Sequence, residues 1–192
     1  MSWLDALFGR QKPVKSQVES LFAITTSSVT LAVRFGLNPT GRAGICFKPV
    51  ASSYFEAAEV EVKDLLRIAA RESGTRIELA KDSYNFQWVV MDDKDFEDLV
   101  AATHMVSQTL AEHGFGEQLL AAVFQFLDAQ RQPVYWIYNY KRGRFYPFVP
   151  TQGKQRDNAY ELRLRAVMEK EMPVEQELER WYPLWDIPLQ PR

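Results

Sequence analysis

Residues 119–149 read LLAAVFQFLDAQRQPVYWIYNYKRGRFYPFV, and their pattern is the main sequence evidence for the fold class. Three runs rich in Val, Phe, Tyr and Trp, at 119–127, 134–140 and 145–149, are separated by polar turns. Runs of β-branched and aromatic residues bounded by Gly, Pro and Asp are typical of strands joined by hairpins. The stretch therefore predicts a three-stranded antiparallel meander. Pro147 has no amide donor, which places the last strand at an edge of the sheet.

Two more hairpins are predicted upstream of the meander from alternating apolar residues. The first joins residues 29–35 to 45–47 through a turn at 36–41, and the second joins 77–79 to 86–90 through Asp82 and Ser83. The hairpins and the meander together give seven strand candidates.

Apolar stripes at helical spacing predict four helices in the body of the chain. Ser53 and Glu56 form a capping box at the start of one of them. Asp92, Asp93 and Asp95 place negative charge at the start of another, where the helix dipole favours it. The predicted helices cover residues 14–23, 53–74, 92–114 and 157–172.

Strands that pair mainly as hairpins, with helices between them, predict an α+β fold. We expect an antiparallel sheet of hairpins and a meander with helices packed on one side. The length of 192 residues favours a single domain over residues 1–192. It divides into an N-terminal tip (1–12), a body (13–172) and a C-terminal extension (173–192).

The composition is that of a globular protein, with 46% hydrophobic residues and a net charge of −2. This charge gives no general attraction to nucleic acid, so no nucleic-acid partner is expected. The single cysteine, Cys46, cannot form an intramolecular disulfide. The sequence also shows no signal-peptide pattern and no long apolar run, which predicts a cytoplasmic protein.

The residues that carry chemistry do not form a catalytic or metal-binding pattern. His104 and His113 are nine positions apart, which places them on opposite sides of a helix. Cys46 lies in a predicted strand, where a buried thiol is commoner than a nucleophile. The paired acids Asp92 and Asp93 are explained as helix caps. We therefore expect no enzyme activity, no cofactor and no metal, although an unrecognised enzyme stays open because distant groups can meet in a fold.

Two surface segments are candidates for binding. The first is a basic hairpin between aromatic flanks, where cations and rings together are able to hold phosphates and stack bases. A solvated hairpin tip above a packed aromatic sheet explains it equally well. Its candidate residues are Lys141, Arg142, Arg144 and Tyr146.

The second candidate is the N-terminal tip, an apolar cluster followed by a basic stem. Such a segment either docks on its own domain or enters a lipid interface or the groove of a partner. Its candidate residues are Trp3, Leu4, Leu7, Phe8, Arg10 and Lys12.

Several segments resemble the PspA-associated protein family PspAB. They are LDALFGR at 4–10, KPV at 12–14, CFKPV at 46–50, WVVMDD at 88–93 and the stretch from Phe124 through YWIY at 135–138 to FYPF at 145–148. The resemblance spans most of the chain. It implies an accessory or adaptor protein of the phage-shock envelope-stress system that works with PspA, a coiled-coil protein of the cytoplasmic membrane face.

No catalytic residue comes with this resemblance. Peripheral contact with the inner face of the membrane is a further expectation. The sequence is also similar in layout to type III secretion chaperones, which pair helices with an antiparallel sheet and often form homodimers. The helix at 53–74 and the C-terminal extension depart from that layout, so the homodimer stays an open alternative. A single-stranded nucleic-acid binder that uses the basic hairpin is the competing function.

Overall fold

The computed structural model describes residues 15–48, 64, 66–68, 70–71 and 74–189. The tip and the capping box at Ser53 and Glu56 lie outside these residues. Residues 64, 66–68 and 70–71 are helical, in agreement with the end of the predicted helix at 53–74. Gly74 follows this helix with a φ of 72° and donates its amide to the Ala70 carbonyl (3.1 Å), as expected of a helix-ending glycine.

The helices and strands follow one another in an α+β order. In chain order they are α1 (Lys15–Phe35), β1 (Asn38–Phe47), β2 (Arg76–Lys81), β3 (Gln87–Asp92), α2 (Phe96–Leu110), β4 (Leu119–Leu127), β5 (Pro133–Asn139), β6 (Arg144–Phe148), β7 (Pro150–Thr151), β8 (Gln155–Arg156) and α3 (Asn158–Met168), followed by a 3₁₀ turn at Leu178–Arg180.

Six strands form one antiparallel sheet in the order β2-β3-β1-β4-β5-β6. The predicted meander is confirmed, because β4 pairs with β5 and β5 with β6 in register. The hairpin of β2 and β3 is confirmed as well. Pro147 lies in β6 at the end of the sheet order, which is the predicted edge position.

The predicted hairpin of residues 29–35 with 45–47 is wrong, and so is the predicted end of the first helix at residue 23. The chain stays helical from Lys15 to Phe35, and β1 pairs instead with β3 and β4. Leu31 is buried, while Val29 and Val33 are exposed. A period of two over seven residues also fits a helix in which Leu31 is buried, Phe35 packs against the core and the two valines face water. The buried Leu21 and Ile24 continue the core-facing side upstream.

The remaining helices begin near the predicted positions. Asp95 caps α2, and its carboxylate accepts the backbone amides of Glu97 and Asp98. After α2 the chain turns at Gly114, whose φ is 88°. Asp157 caps α3, which ends at Met168, before the predicted limit of residue 172.

The two faces of the sheet have different covers. On one face, Phe96 of α2 packs against Phe124 and Phe126 of β4, with ring centroids 6.0 and 5.5 Å apart, and α1 packs beside α2. On the other face lies the C-terminal extension, whose Trp181 stacks on Tyr146 at 6.3 Å. The extension therefore covers the face that the helices leave open.

Candidate partner-binding surface

Cys46 is a core residue. Its side chain is buried near the end of β1. Burial, and to a smaller degree the carboxylate of Asp82, raises the pKa of the Cys46 thiol to about 12. The thiolate, which is the reactive form, is therefore scarce at neutral pH.

The two histidines have separate structural roles. His104 packs edge-on against Phe22 of α1 with ring centroids 5.5 Å apart, and burial lowers its pKa. Nδ1 of His113 lies 2.8 Å from the carbonyl oxygen of Thr109 at the end of α2. Within the described part of the chain, no three His, Cys, Asp or Glu residues are grouped as a metal site requires.

The acidic residues between β3 and α2 stabilise the start of the helix. Asp93 accepts the backbone amide of Asp95 (3.0 Å) and the hydroxyl of Thr75 (2.7 Å). Asp92 accepts a hydrogen bond from Nε of Arg42 at 2.6 Å. The predicted role of Asp92 and Asp93 as helix caps is wrong, because Asp95 caps α2, whereas Asp92 ends β3 and pairs with Arg42 and Asp93 bonds the backbone just before the helix.

The cations of the basic hairpin face the C-terminal extension. Nε of Arg142 lies 2.8 Å from the carboxylate of Glu175, and its second nitrogen lies 3.2 Å from Glu177. Arg144 donates a long hydrogen bond of 3.4 Å to the Val174 carbonyl. Burial acts to raise the pKa of Glu175, but the hydrogen bonds and charge of Arg142 outweigh it and hold that pKa below its usual value.

The aromatic flank of the same hairpin is also occupied. Tyr146 is buried, its ring stacks on Trp181, and its hydroxyl donates to the carbonyl of Tyr182 at 3.0 Å. A buried ring has no free face for a base. Of the four predicted residues, only Lys141 projects away from the extension, and it lines a cavity instead. The C-terminal extension therefore packs on this hairpin.

No spacing rule in the sequence signals this contact. Arg142 and Glu175 are 33 positions apart and belong to segments that show no pairing pattern. The one visible hint is opposite charge, since acidic residues at 175, 177 and 179 match the cations of the hairpin. Opposite charge alone does not select a partner, because many acidic residues are available along the chain.

A cavity of about 910 Å³ lies between α1, the end of α2, the start of β4 and the end of β5. His104 and Glu112 line it, and both have structural contacts, since Glu112 accepts a hydrogen bond from Gln108 at 2.9 Å. Burial raises the pKa of Tyr140, so its phenol stays neutral near neutral pH. His104 packs against Phe22, and Glu112 bonds Gln108 near the end of α2. Neither contact pairs a nucleophile with a base.

A second depression, the α1–α3 groove, has the character of a protein-binding surface. It has a volume of about 580 Å³, and apolar side chains from both helices line it. Val29 and Val33, one helical turn apart on α1, are 65% and 79% exposed. Its described residues are Val29, Thr30, Val33, Arg34, Ala166, Val167, Lys170 and Glu171.

The exposed side of α1 is unusual because it has no charged residue in the stretch between Glu19 and Arg34. Thr26, Val29 and Val33 are exposed in this stretch. Helices at a protein surface ordinarily present charged and polar residues to water. An uncharged exposed stripe next to a groove is the pattern expected where another chain binds. The alternation of apolar residues at 29–35 predicts a strand, so the sequence pattern does not indicate this helical surface.

Each described helix is too short or too polar to cross a membrane.

A family model described as PspA associated protein B matches residues 1–189. No curated protein and no solved structure matches the chain, so the similarity to secretion chaperones stays a prediction. The family match covers nearly the whole sequence, in agreement with the resemblance of its separate segments. The chain therefore belongs to the PspA associated protein B family, PspAB.

Proposed function

We propose that this protein is a non-catalytic accessory protein of a phage-shock-type envelope stress response, and that it binds a PspA-like coiled-coil partner. The observation that carries the proposal is the family match over residues 1–189, whose description names an association with PspA. The exposed, uncharged side of α1 supports it, because a coiled-coil protein presents helices and helices pack in grooves between helices.

The test is direct binding between the purified full chain and purified PspA from the same cells, measured by isothermal titration calorimetry. We expect a saturable heat signal with fixed stoichiometry. The absence of any binding, with both proteins folded by circular dichroism, would refute the proposal. Light scattering on the same samples decides between a monomer and the homodimer alternative.

The N-terminal tip provides a second contact in this proposal, either with the partner or with the membrane surface. Trp3 and Phe8 are its largest apolar residues and precede a basic stem. Full burial of four such side chains at about 1.5–3 kcal/mol each is enough for weak, reversible attachment of a short segment. In this proposal, the contact attaches the protein peripherally to the inner face of the membrane.

Replacement of both Trp3 and Phe8 by Ser tests this contact. We expect nearly unchanged thermal stability and reduced co-sedimentation with PspA-coated vesicles. The matched control replaces two exposed apolar residues of the extension, Leu178 and Tyr182, by Ser. If the tip variant melts many degrees lower and still co-sediments, the tip is part of the core and the recruitment idea is wrong.

A further inference from the structure

We infer that the α1–α3 groove binds an amphipathic helix of the PspA-like partner whose apolar stripe is bordered by acidic side chains. This inference rests on the proposed function and adds the site and the chemistry of the contact.

The apolar floor of the groove fits one side of a helix. Val29 and Val33 on α1 are four positions apart and line the groove; Ala166 on α3 also lines it, and Leu162, four positions before Ala166, lies outside the lining. Residues four apart lie on the same side of a helix. Leu162 and Val33 are both exposed, although their side chains are apolar. Two such rows with a groove between them match the way in which a third helix packs against a helix pair.

The charges at the groove specify the sign of the partner. Arg34 comes from α1 and Lys170 from the turn after α3, and neither has an ion-pair partner among the described residues. Glu171 is the one described carboxylate in the lining, and it already accepts a hydrogen bond from Thr30 at 2.8 Å. Nearby, Arg165 is occupied by Glu169 at 3.6 Å. The lining therefore has two positive charges and one negative charge, and its net positive charge complements acidic residues.

Two separate observations argue against the other occupants of this surface. In a symmetric homodimer the same patch of both subunits meets, so two grooves that each have a net positive charge would face each other. Like charges in an interface disfavour that assembly. A membrane surface is disfavoured because interfacial helices present Trp, Phe or Leu, whereas the exposed face of α1 presents Thr26, Val29 and Val33.

The test compares the affinity of purified PspA for four forms of the full chain by fluorescence anisotropy. They are the wild type, Val33→Glu, the charge variant Lys170→Glu and the control Ile68→Glu. Ile68 is also an exposed apolar residue in a helix, and it lies outside the groove lining. Since the side chain of Val33 is mostly in water, a Glu there is expected to leave the melting temperature unchanged. Lys170→Glu provides an independent arm that does not alter the apolar floor.

We expect Val33→Glu and Lys170→Glu to weaken PspA binding at least about tenfold, which corresponds to about 1.4 kcal/mol. Ile68→Glu should bind like the wild type. The affinity of the wild type for PspA should also fall as the salt concentration rises, and the affinity of Lys170→Glu should fall less steeply.

The outcomes separate the inference from the proposed function. If the wild type binds PspA and both groove variants bind equally well, the groove assignment is overturned and the proposed function stands. If the wild type does not bind PspA, the proposed function fails and the partner named here fails with it. If Val33→Glu changes the oligomeric state but not the affinity for PspA, the groove is an interface between copies of this chain.

Discussion

Trp181 attaches the C-terminal extension to the sheet, and its replacement measures how much the extension contributes to stability. The side chain is 5% exposed and stacks on Tyr146 with ring centroids 6.3 Å apart. Its indole nitrogen donates to the backbone carbonyl of Glu175 at 3.0 Å. Its own carbonyl accepts a hydrogen bond from Arg156 at 2.7 Å, and this bond survives a change of side chain.

Trp181→Ala should lower the free energy of unfolding by about 3–5 kcal/mol, the range for removing a large buried aromatic side chain. The Glu175 carbonyl also loses its donor, which places the expected cost toward the upper part of that range. At about 2–4 °C per kcal/mol for a domain of this size, the melting temperature should fall by about 6–20 °C. Trp181→Phe keeps an aromatic ring and loses the indole donor, so its loss should be smaller.

The assay is thermal unfolding followed by circular dichroism, with urea unfolding to check the free energies. Tyr182→Ala is the matched control, because the neighbouring tyrosine is 56% exposed and contributes to the fold through its backbone carbonyl. That variant should stay within about 0.5 kcal/mol of the wild type. If Trp181→Ala melts together with Tyr182→Ala, the extension is not an integral part of the core, and the reasoning is refuted.

Three further predictions test single residues. Arg142 holds the pKa of Glu175 below its usual value in the folded protein. The Glu175 carboxylate therefore stabilises the fold fully above about pH 4.3, the pKa of an unperturbed Glu, and this stabilisation is lost as the pH falls through the lower pKa of the folded state. Acid unfolding by fluorescence should therefore be shallower for Glu175→Gln, and equal slopes would contradict this. Gly41→Ala should unfold at a much lower urea concentration than Gly36→Ala, because both glycines have positive φ but, of the two, only Gly41 would bring a Cβ against the backbone oxygen of Asp93. Equal urea midpoints would contradict this. Cys46 should react with a thiol reagent at pH 8 only in denaturant, and rapid labelling of the folded chain would show that the thiol is accessible.

The extension and the helices together leave little of the sheet available to a partner. One face packs under α1 and α2, and Trp181 and Leu189 of the extension are buried at the other. Arg142 of the basic hairpin is paired with Glu175, so its charge is not free to hold a phosphate. The exposed apolar side chains that are available to a protein partner therefore include Val29 and Val33 on α1.

Local patterns were sufficient where neighbouring residues alone determine the structure. The meander at 119–149 combines aromatic runs with turns, so its strands pair with their sequence neighbours. The cap at Asp95 and the turn at Gly114 depend on one or two backbone groups. The segments that resemble PspAB identified the family for the same reason, since the likeness is carried by short stretches of residues.

Only the tertiary structure decided which contacts form between distant segments. Residues 29–35 fit either period, and their helix is selected because Leu31 reaches the core that Leu21 and Ile24 already share. The contact of Arg142 with Glu175 crosses 33 positions and depends on where the extension lies. The α1–α3 groove exists because α1 continues to Phe35 and packs beside α3. Turns, caps and hairpins follow from residues that are neighbours in the sequence. Where a segment such as 29–35 fits both a helix and a strand, burial in the shared core selects one of them.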